Sequence, residues 1–195
     1  MRPDRRRIAD EVFAAGRDYD AAHPNRLERL RNVEPDTAAL LGVLVRASRA
    51  RRILEIGTSN GHSTLWLADA AEAMGGRVET LDIDPRRTAL AHANLERAAL
   101  GAVARCRTLG AAQALAEYPD AAWDFVFLDA ERPEYAGYWP NLRRVLAPGC
   151  TLAIDNAISH ESELRSFKRL LGDDEHLTTA LVPIGAGLIV AALDA

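Results

Sequence analysis

Apolar and polar positions alternate in a regular way from about residue 52 to the end of the chain. Short apolar runs predict five strands, and segments with helical spacing follow each of them. The predicted strands are 53–56, 78–83, 103–108, 125–128 and 151–154. The predicted helices are 63–74, 86–99, 111–117, 135–146 and 161–171. Strands with nearly continuous apolar character, alternating with helices, predict a parallel sheet that is covered on both faces.

The two ends of the chain follow different patterns. Two apolar runs, 176–182 and 187–193, are separated by only four residues, too few for a crossover helix, so we expect them to pair antiparallel. At the other end, residues 5–22, 24–31 and 35–47 predict three helices. The predicted fold is α/β: a doubly wound, Rossmann-like, mostly parallel seven-stranded sheet with a C-terminal antiparallel hairpin and an N-terminal helical cap. One domain is expected, with the cap in residues 1–48 and the α/β core in residues 51–195.

Charge and composition limit the classes of binding partner that we expect for this chain. The net charge is −4, which does not favour nucleic acid, and the run Arg5-Arg6-Arg7 is predicted to be the solvated start of a helix. No apolar stretch approaches the roughly 20 residues of a membrane span, and the charged N-terminus does not resemble a secretory signal. Cys106 and Cys150 lie in predicted strands without metal-ligand spacing. We therefore expect a cytoplasmic protein with reduced cysteines and neither nucleic acid nor membrane as a partner.

A glycine turn follows the first predicted strand, in the run from Glu55 to Ser63. Glycines at 57 and 61 allow a sharp turn and a close approach of the backbone to a ligand. The N–H groups at the start of the next helix can hold an anionic group. This spacing differs from the Gly-x-Gly-x-x-Gly of dinucleotide-binding folds and argues against NAD. It suits a nucleoside that carries a carboxylate, such as S-adenosylmethionine.

Acidic residues end the second predicted strand. Ligands of open α/β sheets bind beyond the carboxyl ends of the strands, where a carboxylate can accept hydrogen bonds from ribose hydroxyls. Asp82 is the first candidate for this role and Asp84 the second. The other interpretation of Asp84 is that it caps the helix begun by Pro85.

Further acids end the fourth and fifth predicted strands. Asp129 follows one strand, and Asp155 and Asn156 follow the other. If the strands are neighbours, two carboxylates and an amide oxygen converge, and a hard divalent cation would relieve the repulsion. Mg²⁺ is the first candidate, with Mn²⁺ and Ca²⁺ as alternatives. The competing interpretation is that each acid only caps the helix that follows it.

Taken together, these segments resemble the metal-dependent class I O-methyltransferases of the catechol and caffeoyl-CoA type and their bacterial relatives. The resemblance runs from about Asn32 to the C-terminus. It is carried by Asn32-Val33, the run Glu55-Ile56-Gly57-Thr58-Ser59-Asn60-Gly61-His62-Ser63, Asp82-Ile83-Asp84, Phe127-Leu128-Asp129 and Asp155-Asn156.

The resemblance implies a function and a set of site residues. The implied enzyme transfers a methyl group from S-adenosylmethionine to a hydroxyl of a small phenolic acceptor, usually one of a vicinal pair, with help from a divalent cation. Because members often form dimers, a homodimer is an open alternative to a monomer. The implied metal ligands are Asp129, Asp155 and Asn156. The implied cofactor-binding residues are Val33, Glu55, Gly57, Thr58, Ser59, Gly61, Ser63, Asp82, Ile83, Gly110, Ala111 and Asp129.

One position departs from the family. Three residues after the first metal aspartate the family usually has a lysine that helps to deprotonate the acceptor, whereas this chain has Arg132, which stays protonated. The only lysine, Lys168, lies in a predicted helix and is expected to be solvated. His160 is our candidate base, because an imidazole titrates near neutral pH, and Glu131 is a weaker one. The predicted catalytic set is Asp129, His160 and Arg132, with Arg132 neutralising negative charge on the acceptor.

Two other interpretations remain open at this point. The chain could methylate a different acceptor without a metal, or it could be a cofactor-binding module without turnover, which the missing lysine would suit. Acceptor identity is not encoded in a recognisable motif. One hypothesis is that Arg29, Arg31 and Arg132 together favour an acidic acceptor.

Overall fold

The computed structural model describes residues 1–195 and contains a single seven-stranded sheet. Its strands are β1 (Arg52–Ile56), β2 (Arg77–Asp82), β3 (Ala104–Thr108), β4 (Trp123–Leu128), β5 (Leu146–Ile154), β6 (Leu177–Val182) and β7 (Leu188–Leu193). They lie in the order β3-β2-β1-β4-β5-β7-β6. Strands β1 to β5 pair in parallel, and β7 runs antiparallel to both β5 and β6. The doubly wound sheet and its terminal hairpin are confirmed, and the strand order reverses between β1 and β4, where such folds bind ligands.

Seven α-helices and one turn of 3₁₀ helix (Arg132–Glu134) complete the fold. The helices are α1 (Pro3–Ala22), α2 (Pro35–Ala47), α3 (His62–Ala73), α4 (Pro85–Arg97), α5 (Ala111–Glu117), α6 (Tyr135–Val145) and α7 (Glu161–Asp173). Helices α1 to α4 pack on one face of the sheet and α5 to α7 on the other, forming two hydrophobic cores. Ile53 and Leu54 are both fully buried but enter different cores. The strands are apolar on both faces for this reason.

The N-terminal cap contains two helices rather than three. The predicted helix at 24–31 is wrong, because this segment forms a turn and then an extended stretch. Its apolar residue Leu27 is 68% exposed, so a helix here would have little to bury. The carboxylate of Asp20 instead accepts the backbone N–H groups of Leu30 (2.6 Å) and Arg31 (2.8 Å). Residues 24–34 are thereby drawn across the carboxyl edge of the sheet.

The arginine run at the N-terminus is only partly solvated. Arg6 and Arg7 are exposed, as predicted. Arg5 is 2% exposed, and its guanidinium donates to Asp69 (3.1 Å) and Glu72 (2.5 Å) of α3. The prediction for Arg5 was wrong because its partners are about 65 residues distant in sequence. The buried guanidinium joins α1 to α3.

Both cysteines are free and lie in strands, Cys106 in β3 and Cys150 in β5. Among the helices, none has the combination of length and apolar character that a membrane crossing demands.

Candidate active site

A cavity of about 850 Å³ opens at the carboxyl edge of the sheet, covered in part by residues 26–34. Most of the residues that the sequence singled out lie on its wall. These are Val33, Gly57, Ser59, Asp82, Ile83, Gly110, Ala111, Asp129, Arg132, Asp155, Asn156 and His160. Four of the predicted cofactor residues do not line it: Glu55, Thr58, Gly61 and Ser63.

Gly57 forms the sharp turn after β1. Its φ of +113° lies outside the range that residues with a side chain readily adopt. Its N–H donates to the carbonyl of Leu81 (2.9 Å), while the backbone of Asp129 lies against its Cα. A Cβ at this position would come within 2.6 Å of the Asp129 carbonyl carbon. The glycine is therefore required for the close approach of β1 to the end of β4.

Glu55 supports this turn from within the protein. It is fully buried, and its carboxylate accepts hydrogen bonds from the hydroxyls of Ser63 (2.5 Å), Thr64 (2.5 Å) and Thr80 (2.7 Å). Burial raises the pKa of Glu55 to about 7. These bonds join β1 to α3 and β2. Glu55 and Ser63 thus support the turn from beneath it and do not themselves line the cavity.

Thr58 and Gly61 are also structural in this fold. The hydroxyl of Thr58 is 2.6 Å from that of Thr80. Gly61 precedes α3 with a φ of +86°, and a Cβ there would be 3.0 Å from the side chain of Ala91 in α4. The second glycine of the motif therefore allows α3 and α4 to pack closely.

Asp82 lies at the end of β2, with its carboxylate on the cavity wall. One oxygen accepts the N–H of Ser59 (2.9 Å) and the other accepts the N–H of Asp84 (3.0 Å). Each carboxylate oxygen has a second lone pair, so the group retains capacity for two more donors. Asp84 does not line the cavity. It caps α4 by accepting the N–H of Arg86 (2.8 Å), and bonding to Arg86 lowers the pKa of Asp84 to about 2.

The ends of β4 and β5 bring Asp129, Asp155 and Asn156 together, and we call these three residues the acidic cluster. The amide nitrogen of Asn156 donates to Asp129 (3.2 Å) and to Asp155 (2.9 Å). Asn156 has a φ of +66°, a left-handed conformation that asparagine tolerates better than most residues. One oxygen of Asp155, Oδ1, is buried without a hydrogen-bond partner. The prediction that the two strand ends meet is confirmed.

The acidic cluster lacks positive charge of its own. Burial, followed by repulsion from Asp155, raises the pKa of Asp129 well above its usual range. Burial likewise raises the pKa of Asp155 to about 6. No third carboxylate, imidazole or thiol joins them to form a larger metal-binding group. A hard cation prefers oxygen ligands, and the cluster offers two carboxylates, one of them with an unpartnered oxygen. Asn156 would add a third oxygen ligand if its amide group turned so that the oxygen, rather than the nitrogen, faced the aspartates.

His160 and Arg132 lie on the cavity wall beside this cluster. The Nδ1 of His160 is 2.8 Å from the hydroxyl of Ser159, which also donates to the amide oxygen of Asn156 (3.3 Å). Burial and the nearby Arg132 lower the pKa of His160, a shift that favours the neutral imidazole. Arg132 is 3% exposed, and its Nε donates to Glu163 (2.8 Å).

The sequence analysis did not identify four charged residues of the cavity wall: Arg26, Glu34, Arg87 and Glu134. They have the spacing of ordinary solvated residues, so no sequence pattern distinguishes them. Arg29 is not on the wall, because its Nε donates instead to the carbonyl of His23 (2.7 Å). In the hypothesis of an acidic acceptor, Arg26 therefore replaces Arg29.

Comparison with known proteins identifies the family. The O-methyltransferase family model matches residues 17–193 of the chain. A catechol O-methyltransferase of Niastella koreensis is 35% identical over 130 residues, covering 65% of this chain and 58% of that protein. The chain belongs to the O-methyltransferase family. It is therefore an enzyme of the class that uses S-adenosylmethionine to methylate oxygen.

Solved structures agree with this assignment. The O-methyltransferase of Bacillus cereus, crystallised in complex with S-adenosylhomocysteine, has a TM-score of 0.80 and 27% identity, covering 96% of this chain and 90% of that one. TomG of Streptomyces achromogenes, an O-methyltransferase involved in tomaymycin synthesis and crystallised with S-adenosylmethionine, has a TM-score of 0.79 and 26% identity, with coverage of 96% and 90%.

Proposed function

We propose that this enzyme transfers the methyl group of S-adenosylmethionine to a hydroxyl of a small hydroxylated aromatic acceptor, with a divalent cation bound by the acidic cluster. The observation that carries the proposal is the position of that cluster. A buried carboxylate, a partly buried one and an amide from neighbouring strand ends lie on the wall of the same cavity as the glycine turn and Asp82. One cavity thus combines features that suit a nucleoside with features that suit a cation and an acceptor hydroxyl.

The cofactor half of the proposal depends on the turn at Gly57 and on Asp82. The remaining lone pairs of Asp82 are available to the two ribose hydroxyls of the cofactor. Ile83 is 75% exposed and lines the cavity next to Asp82, as do Gly110 and Ala111. An exposed isoleucine beside two small residues suits a flat, apolar-faced adenine. On this ground we assign Ile83, Gly110 and Ala111 to the adenine base.

The cation half depends on Asp129, Asp155 and Asn156. Mg²⁺ is the first candidate, because all three side chains offer oxygen ligands, and Mn²⁺ and Ca²⁺ are the alternatives. When bound, such a cation lowers the pKa of an acceptor hydroxyl and fixes its orientation toward the methyl group. The two aspartates would balance the positive charge of the cation, and the unpartnered oxygen of Asp155 would gain a partner.

We assign His160 as the residue that receives the acceptor proton. Its Nδ1 can donate to the hydroxyl of Ser159, and this leaves the lone pair of Nε2 free. A neutral imidazole on the cavity wall can accept a proton, whereas the guanidinium of Arg132 cannot. The transferred methyl forms the ether, the sulfonium becomes S-adenosylhomocysteine, and the proton passes to His160.

The test is methylation of a panel of catechols with labelled S-adenosylmethionine, first with Mg²⁺ and then with excess EDTA. We expect turnover that EDTA abolishes and that added Mg²⁺ restores. Asp155→Ala should abolish transfer while the affinity for S-adenosylhomocysteine, measured by titration calorimetry, changes by less than about threefold. Full activity in EDTA, or in Asp155→Ala, would contradict the metal assignment. Tight cofactor binding without methylation of any phenol would contradict the acceptor assignment.

A further inference from the structure

Three arginine side chains lie together on the cavity wall: Arg26, Arg31 and Arg132, which we call the arginine group. Arg31 pairs with Glu131 at 2.9 Å, and Glu131 directly precedes Arg132, so these two arginines are neighbours on the wall. Arg26 lines the same cavity as the acidic cluster. The acceptor end of the cavity therefore has an acidic part and a basic part side by side.

Arg132 is incompletely hydrogen-bonded although it is buried. Its Nε is paired with Glu163, but its Nη1 has only a long contact of 3.5 Å to the carbonyl of Ala130. Its Nη2 is buried and has no partner. An unpaired donor on a buried charged group is costly, and proteins rarely retain one without a use. One edge of the guanidinium, formed by Nη1 and Nη2, thus has unpaired donors on a residue that lines the cavity.

The arginine group carries one positive charge more than its partners neutralise. Arg132 pairs with Glu163, and Arg31 pairs with Glu131 at 2.9 Å. Arg26 takes part in no side-chain hydrogen bond or salt bridge and is exposed on the cavity wall. A ligand group with a single negative charge would balance this excess, and a doubly charged phosphate would exceed it. A planar carboxylate also matches the two-donor edge of a guanidinium.

We propose that the arginine group selects acceptors that carry a carboxylate, with Arg132 as its anchoring residue. This inference rests on the proposed function, because the hydroxyls of the same acceptor are to reach the acidic cluster. A neutral analogue would leave the Arg132 edge unpaired, and sites built for a charged partner discriminate strongly against ligands that lack it.

The experiment compares protocatechuate, a catechol carboxylate, with the matching carboxamide. Binding of each is measured by titration calorimetry to protein saturated with S-adenosylhomocysteine, in Mg²⁺ and again in EDTA. We expect the carboxylate to bind about ten- to a hundredfold more tightly than the amide, the range for a hydrogen-bonded charged group. The preference should persist in EDTA, because the arginine group does not depend on the cation.

The Arg132→Gln variant should reduce this preference to less than about threefold. The double variant Arg132→Gln/Glu163→Gln also removes the carboxylate that the single change leaves unpaired. Its preference for the carboxylate should likewise fall below about threefold. Arg143→Gln is the matched control, because the Nε of Arg143 also pairs with a carboxylate, that of Asp174 (2.5 Å), but lies outside the cavity. This control should retain the wild-type preference.

The outcomes separate this inference from the proposed function. Equal binding of the two ligands in the wild type, or an undiminished preference in both Arg132 variants, would overturn the inference. Methylation of the amide and the carboxylate at equal efficiency and with equal affinity would overturn it while leaving the proposed function intact. A carboxylate preference in binding without methylation of either compound would support the inference and overturn the proposed function.

Discussion

Replacing Gly57 with alanine tests the geometry on which the cavity depends. The residue is held from two sides, since its N–H donates to the carbonyl of Leu81 in β2, and the N–H of Asp129 donates to the carbonyl of Ile56 (both 2.9 Å). An added Cβ would overlap the carbonyl oxygen of Asp129 and lie 3.3 Å from the nitrogen of Ala130. These contacts are to backbone atoms, so no side-chain rotation relieves them.

Two costs combine in this variant. A side chain at a φ of +113° is strained by about 1–3 kcal/mol, and displacement of the β4 end adds to this. We expect a total loss of about 3 kcal/mol or more, a large part of the roughly 5–15 kcal/mol that stabilises a typical domain. In urea, with a slope of about 3 kcal/mol per M, the unfolding midpoint should fall by about 1 M.

The matched control is Gly172→Ala in α7. A Cβ at that position would meet no atom within 4 Å, and alanine favours a helix over glycine by up to about 1 kcal/mol. Its midpoint should therefore stay unchanged or rise. Under conditions where both variants are folded, only Gly57→Ala should lose the thermal shift given by S-adenosylhomocysteine. A Gly57→Ala midpoint within about 0.3 M of the parent, at the same slope, would refute the close approach of β1 to Asp129.

Three further predictions follow from the site and its supports. Asp82→Asn should weaken S-adenosylhomocysteine binding about tenfold or more, because charged hydrogen-bond acceptors contribute about 1.5–3 kcal/mol; unchanged affinity in titration calorimetry would argue against the ribose assignment. His160→Gln should lower kcat at least tenfold with little change in acceptor affinity, and an unaltered single-turnover rate would exclude His160 as the base. Asp84→Ala should lower the free energy of unfolding by about 1 kcal/mol through loss of the α4 cap. Since the folded pKa of Asp84 is depressed to about 2, this difference should be constant above about pH 5 and shrink as the pH falls toward 2; denaturation curves from pH 2 to 7 measure it.

The sheet was predictable from sequence because its strands are buried on both faces and its connections are short. Runs such as Phe125 to Leu128 leave no polar face for another interpretation, and the four residues between the two predicted C-terminal runs permit only a hairpin. The segment 24–31 was not predictable by the same means. Its conformation is set by hydrogen bonds to Asp20 and to Arg87, which donates to the carbonyls of Leu27 (2.8 Å) and Arg29 (2.9 Å). Such long-range contacts leave no local pattern.

The candidate site residues at the ends of strands were predictable from the sequence. The hydrogen-bond partners of the buried side chains that support the site were not. Asp82 is the last residue of β2, while Asp129 and Asp155 directly follow β4 and β5, and the parallel register brings all three to one edge. Glu55 lies two residues before the turn, inside the strand, so its side chain is fully buried and bonds to hydroxyls from β2 and α3 instead of reaching the cavity. The sequence pattern therefore predicts which residues lie at the edge of the sheet. It does not predict which buried side chains below that edge form hydrogen bonds with one another.

Arg132 explains how a departure from the family pattern is compatible with the family's chemistry. A lysine at this position could supply positive charge and also accept a proton, but a guanidinium can do only the first. Under the proposed function the second task moves to His160, whose neutral form is favoured by the same guanidinium through repulsion. A guanidinium also has a two-donor edge, which a lysine lacks. Under the proposed recognition of a carboxylate, this one residue change separates proton acceptance from charge recognition, and a negatively charged acceptor would give the buried, unpaired Nη2 of Arg132 a partner.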